Sequence, residues 1–204
     1  MKRKTAILVT GIQNFTGTHY FKQLENVFNR NEIVIAKHIK IKPNPSELLI
    51  VHSMAELTKK FDFVLVVGGG SVIDAGKLIK NRFNTSAKLV AIYTLPGSAT
   101  IVSPFAVFDN NEFKIGIAAD NLIPSYSYVN TEIIQSLSLE RKIIAIAGIF
   151  SHAVESLYPK ANNIASRTKA KNSLNMLKAN EVESLSTQAL ITRIFKLACQ
   201  KGSD

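Results

Sequence analysis

Apolar residues gather along the first half of the chain into short runs separated by longer segments of mixed polarity. The runs are TAILVTG (Thr5 to Gly11), EIVIAKHIKI (Glu32 to Ile41), FDFVLVVGGG (Phe61 to Gly70) and AKLVAIYTL (Ala87 to Leu95). Within them AILV and FVLVV are continuously apolar, the pattern of strands covered on both faces in a parallel sheet. Between the runs, THYFKQLENVFNR places Tyr20, Phe21, Leu24, Val27 and Phe28 at helical intervals. NPSELLIVHSMAELTKKF opens on Pro45, a residue that a first helical turn accepts. Strand and helix in alternation predict βαβ units. After Pro104, FAVF and EFKIGI flank Asp109, Asn110 and Asn111 like the arms of a hairpin. Beyond Val129 the periodicity turns helical, with Ser138 as a cap and Glu140 two residues on. The pattern predicts a parallel-sheet α/β domain over residues 1–135 and an all-helical segment over residues 136–204. Within the latter, PKANNIASRTKAKNS is polar enough for a loop or a frayed helix start.

Composition narrows the class. With 46% hydrophobic and 20% charged residues over 204 positions, the chain can bury a core and is not disordered. No apolar run approaches the ~20 residues of a membrane-spanning helix. MKRKTAILVTG is basic, then apolar, without a small-residue cleavage site after it, and reads as the first strand of a cytoplasmic protein. The single cysteine, Cys199, lies on an apolar helical face in ITRIFKLACQ, which suits a buried thiol in a reducing compartment. A net charge of +10 would suit a polyanion, but the lysines and arginines are scattered and not interleaved with aromatics. No zinc-finger spacing and no RNP-like strand is present, which argues against nucleic acid as a partner.

Candidate chemistry centres on FVLVVGGGSVIDAGKLIK, Phe63 to Lys80. Glycines between a buried strand and a helix let backbone amides face outward, and the helix beginning at about Ser71 adds the positive end of its dipole. Such a turn at the carboxyl end of a parallel strand is a pyrophosphate cradle. Gly68, Gly69 and Gly70 are contiguous, so G-x-G-x-x-G is not met, and no Gly-Lys-Ser/Thr follows. The alternative on the glycines alone is a tight turn that packs helix against sheet. Asp74 and Lys77, three and six residues after Ser71, fall close to one helical face and are expected to point toward the loop's ligand.

GGGSVIDAGK as a whole resembles the nucleotide-binding signature of the iron-containing alcohol dehydrogenases, a group related to dehydroquinate synthase and glycerol dehydrogenase. IKPNPS (Ile41 to Ser46), SPFAVF with KIGI, and SHAVESLY (Ser151 to Tyr158) resemble further segments of the family in the expected order, so the likeness runs from about Lys4 to roughly Asn180. The resemblance implies a Rossmann-like NAD- or NADP-binding α/β domain followed by a helical domain that holds a divalent metal, iron or zinc, with hydride transfer on a small alcohol or aldehyde in the cleft between them. Carried over by residue, it implies that Gly68, Gly69, Gly70 and Ser71 bind the cofactor pyrophosphate. Asp74 would lie near the nicotinamide ribose, Thr94 would contact the adenosine half, and His152 would be a metal ligand.

The chain departs from that pattern at definite places. The aspartate expected four residues before His152 is Gly148, and the family's other two histidines are expected beyond residue 204. In YTLPGSATI, Tyr93 stands for a proline and Ile101 for a glutamate, which predicts a cleft made partly apolar. The expectation is therefore a truncated member with an incomplete metal site; the alternative is a non-catalytic nucleotide-binding pseudoenzyme. An apolar face left open on KIIAIAGIFSHAVESLY predicts poor solubility or a homodimer that covers it. Lys37 and His38, read as following the second strand, suit a ribose 2′-phosphate, or else Lys37 is simply solvated.

Overall fold

The structure, a computed structural model, describes residues 3–12, 15–55, 60–110, 113–158 and 164–178. Cys199 lies outside the described residues. Strands β1 (Lys4–Gly11), β2 (Ile33–Ile41), β3 (Phe63–Gly68), β4 (Lys88–Tyr93) and β7 (Tyr126–Val129) form one sheet in the order β2-β1-β3-β4-β7. Every pairing in it is parallel, as the apolar runs predict. Helix α1 (His19–Arg30), capped by Thr18, covers one face through Phe21, Leu24 and Phe28. Helices α2 (Glu47–Ser53) and α3 (Gly70–Phe83) cover the other. Strand β3 is buried from both sides, Val64 and Val66 facing α3 while Leu65 and Val67 face α1. Each such side chain contributes about 1.5–3 kcal/mol relative to exposure.

Helix α3 is an interior element: the hairpin of β5 (Phe105–Asp109) and β6 (Lys114–Ala118) lies over it on the side away from the sheet. Past β7 the chain is helical, with α4 (Thr131–Gln135), α5 (Leu139–Glu155), capped by Ser138, and α6 (Ile164–Lys178) packed along α5. Among the described residues no helix is long and apolar enough to cross a membrane.

Two local expectations are corrected. Pro45 lies outside α2: Ser46 is the N-cap, its side chain accepting from Leu49 N, while the Pro45 carbonyl accepts from Asp109 N across to the hairpin. Strand β2 runs on to Ile41, so Lys37 and His38 sit inside it and not after it. A bulge opposite Ala6 and Ile7 shifts the register, sending Ile33 and Ile35 to the α1 face and Ile39 and Ile41 to the α3 face. The residues that close β2 are Lys40, Ile41 and Lys42.

Candidate functional site

The sheet order fixes where a ligand can enter. From β1 the chain crosses over one face to β2 on one side, and β3 starts the run of strands on the other, so the loops leaving β1 and β3 part at their carboxyl ends. Gly68, Gly69, Gly70 and Ser71 occupy this point. Gly69 is the N-cap, and its carbonyl already accepts from Val72 N and Ile73 N at 3.1 Å. The first-turn N–H groups of Gly70 and Ser71 have no intrahelical acceptor and face outward with the dipole behind them.

The three glycines do different things. A Cβ at Gly68 would lie 2.6 Å from Val72 Cβ, so this glycine is a packing contact of α3 on β3. Gly76 is another, with Val66 Cγ2 2.2 Å from where its Cβ would be. A Cβ at Gly70 would meet the Ser98 hydroxyl at 2.8 Å, with Ser98 Cβ at 3.5 Å and Thr100 Cγ2 at 3.8 Å, and Gly70 with Ser71 lines a cavity of about 630 Å³. Gly68, Gly69 and Thr94 are not on its wall. Thr94 is half-buried beside the cradle, its N–H donating to Gly68 O at 3.1 Å. The cavity runs from Asn44 and Pro45 after β2, past the α3 N-terminus, to Gly148 and His152 on α5.

Asp74 lines the cavity wall, and Lys77 does not. The Asp74 carboxylate accepts from Thr100 Oγ1 and from Val107 N at 3.2 Å. Burial pushes its pKa up, against the pull of those bonds and of Lys77. Lys77 is 0% exposed, with Nζ donating to Thr100 Oγ1 at 3.0 Å, Ser103 O at 2.8 Å and Phe105 O at 2.6 Å. These use all three of its hydrogens. Desolvation brings it down to about 8, with Asp74 opposing. The lysine is thus a strut beneath the loop that runs from β4 into the hairpin. Sequence spacing put it on the Asp74 face; its flanking apolar residues were the signal that the face is interior.

The second loop is braced, and not in the way its sequence suggests. Tyr93 is buried, its hydroxyl donating to Ser98 O and accepting from Ser98 N, both at 2.8 Å. Ile101 is fully buried in the main core and off the cavity wall, which keeps Ser98, Thr100 and Ser103. The expected, partly apolar cleft is met at Tyr93, which stands on the cavity wall beside Leu95 and Pro96, whereas Ile101 went into the core.

Gly97, at φ +146°, lies in the region that favours glycine and packs on α5 at Ala145. At Gly148 a Cβ would lie 2.8 Å from Gly97 O, 3.2 Å from its Cα and 3.3 Å from its carbonyl carbon. These are backbone atoms, so a carboxylate side chain has no room at position 148 while α5 sits here. His152 is on the wall, more than half exposed, with Nδ1 3.5 Å from Glu155 Oε2. Among the described residues no three His, Cys, Asp or Glu side chains converge as a metal site. The residues α5 brings to this position therefore do not fit a metal ion that needs a carboxylate at position 148, one turn before His152.

A family model for iron-containing alcohol dehydrogenases matches residues 1–131. An NADPH-dependent butanol dehydrogenase of Clostridium saccharobutylicum is 28% identical over 181 residues, covering 76% of this chain and 46% of the relative. A glycerol-1-phosphate dehydrogenase [NAD(P)+] of Saccharolobus islandicus is 33% identical over 136 residues, covering 66% of this chain and 37% of the relative. The crystal structure of an iron-containing alcohol dehydrogenase from Thermotoga maritima superposes with a TM-score of 0.80 at 21% identity, over 98% of this chain and 60% of that one. The chain spans less than half the length of these two curated relatives.

Proposed function

The chain belongs to the iron-containing alcohol dehydrogenase family, and from that premise we propose that its cleft binds a nicotinamide dinucleotide for hydride transfer with a small alcohol or aldehyde. Members of the family use NAD(P) and a divalent metal, iron by the family's own description. One observation carries the proposal for this chain: the free first-turn amides of Gly70 and Ser71 open on a cavity wide enough for a dinucleotide's reacting half. In this reading Gly68 and Gly69 hold the turn behind the pyrophosphate. Ser71 donates to it, Asp74 accepts from the nicotinamide ribose, and Thr94 lies toward the adenosine half. Lys77, Tyr93 and Thr100 keep the second loop from closing the space.

A second reading, nucleotide binding without chemistry, is favoured by the contact of Gly148 with Gly97, because His152 then faces the substrate side with no carboxylate one turn before it on α5. A homodimer that covers the apolar face of α5 and a cytoplasmic location complete the proposal. Their supports are exposed Leu139 and Ile143 and a sequence with one cysteine.

The test is a titration of the purified chain with NADPH and NADH followed by nicotinamide fluorescence, then turnover of short-chain alcohols and aldehydes. Saturable binding with turnover is the expected result. Binding with no turnover selects the second reading, and no binding of either dinucleotide overturns both.

A further inference from the structure

Resting on the dinucleotide reading, we propose that Thr100 and Lys77 are positioning residues for the Asp74 carboxylate, and that protonated Lys77, acting through Thr100, keeps the cavity competent for its anionic ligand. Two side chains about one turn apart on α3 grip a single segment of chain. Asp74 accepts from Thr100 Oγ1 on one oxygen and from Val107 N on the other. Lys77 Nζ donates to Thr100 Oγ1 at 3.0 Å, to Ser103 O at 2.8 Å and to Phe105 O at 2.6 Å. Five hydrogen bonds thus hold residues 100–107 from beneath. Thr100, Ser103, Phe105 and Val107 all stand on the cavity wall with Asp74, so this grip sets the shape of the wall. Thr100 is the link, and it is buried. Its one hydroxyl hydrogen goes to Asp74, so its oxygen meets Lys77 as an acceptor. The result is a directed chain from an interior cation to a carboxylate at the ligand's edge, in which each bond polarises the next.

Each Asp74 oxygen keeps an acceptor site for a ligand hydroxyl after its bond to the segment. Burial opposes the charge on that carboxylate, while Thr100, Val107 and Lys77 support it. The other neighbours of Lys77 are apolar or engaged elsewhere. The strands beneath α3 present Val64, Val66 and Leu89, and β5 turns Ala106 and Phe108 inward. Lys80, further along α3, directs Nζ to Asn121 O beside Asp120, and Arg82 pairs with Glu47 of α2. Tyr93 is bonded to Ser98, and Asp109, Lys114 and His152 line the cavity. Asp74 is the charge that acts on Lys77. Loss of the Lys77 proton would therefore do two things at once. The amine would have two hydrogens for three acceptors, which releases one anchor of the wall. Asp74 would stand as a desolvated anion without its counter-charge, beside a ligand that is itself anionic. Lys77 titrates at about 8, so both effects fall within the range of an ordinary assay.

The test is fluorescence titration of the full chain with NADPH and NADH from about pH 7 to pH 10, on wild type, Thr100→Ser, Thr100→Val and Lys77→Met, with thermal unfolding of each recorded alongside. Wild-type affinity should fall about tenfold as pH passes through the Lys77 midpoint. Thr100→Ser should keep that profile, Thr100→Val should bind weakly throughout with the step flattened, and Lys77→Met should show no step. If Lys77→Met does not fold, Thr100→Val, which loses one hydroxyl, carries the comparison. A readout without ligand is the titration of the lysine ε-carbons by NMR, the Lys77 signal being the one absent from Lys77→Met or, failing that, the one shifted in Asp74→Asn. Its midpoint should drop in Asp74→Asn, which removes the opposing charge. A flat affinity profile in wild type, or a wild-type profile in folded Thr100→Val, would overturn the inference and leave the dinucleotide reading standing. A Lys77 midpoint indifferent to Asp74→Asn would overturn it whether or not a dinucleotide binds. If neither dinucleotide binds while the midpoint does move, the dinucleotide reading fails, and the positioning role fails with it.

Discussion

Three adjacent glycines share a motif but not a task, and substitution should separate them. At Gly68 an added Cβ meets the Cβ of Val72, a branched atom fixed to the helix, so Gly68→Ala must push α3 off β3. The expected cost is about 1–3 kcal/mol in urea unfolding, with dinucleotide affinity of the folded protein nearly unchanged. At Gly70 the added methyl meets a serine hydroxyl that can rotate away, so Gly70→Ala should leave the unfolding midpoint close to wild type. It stands on the cavity wall, however, and should weaken NADPH binding about tenfold. The reverse assignment, Gly70→Ala unfolding easily and Gly68→Ala losing the ligand, would mean that the cradle lies elsewhere. None of this division can be read from the string GGGS, because the partners are Val72, Leu95 and Ser98, two of them from a different strand's loop.

At the scale of elements, α3 ties the molecule's layers together. Its two buried lysines reach out of an apolar helix to carbonyls of the segment that follows β4, Lys77 at Ser103 and Phe105 and Lys80 at Asn121. Lys77→Met should cost about 1–3 kcal/mol at neutral pH, since Thr100 and two carbonyls lose their donor. The pH profile gives a sharper check. Lys77 titrates at about 8 in the folded chain and near 10.4 when unfolded. Below pH 8 both states hold the proton and this group adds no slope. Between 8 and 10.4 the unfolded state binds the proton that the folded state has released. Unfolding free energy should therefore rise with pH there, by on the order of 3 kcal/mol from this group alone. The wild-type minus Lys77→Met difference, measured by denaturant unfolding at several pH values, isolates that rise; a flat difference would show that Lys77 is not desolvated. The strands of this layer were legible because continuous apolar runs admit little else, and the cap Ser138 because a serine stands where helical periodicity starts. The bulge in β2 was not, since its isoleucines keep to odd positions on both sides of Lys37 and the extra residue is revealed only by register against β1. Lys77 was half-legible: Ile73, Lys77 and Lys80 share a helical face whose apolar member marks it as interior.

Taken whole, the molecule is an α/β layer with a helical segment laid across the mouth of its cleft, and the apolar face of that segment bears on assembly. Leu139 and Ile143 of α5 are 74% and 57% exposed. If a second copy covers them, Leu139→Glu with Ile143→Glu should convert a dimer to a monomer in sedimentation equilibrium without changing far-UV circular dichroism. A wild-type monomer at tens of micromolar would refute the dimer. The fold class was legible from the chain's first half, whereas the seating of α5 was not, because it depends on Gly97 and Gly148, which are distant in sequence and silent in any periodicity. Their contact also has a bearing on descent. A lineage carrying this backbone-to-backbone seat cannot regain a carboxylate at 148 by one substitution, because the newcomer would strike the loop before it could serve any ion. The loop around Gly97 would have to change first, and until it did, each revertant would be met by selection as a folding defect.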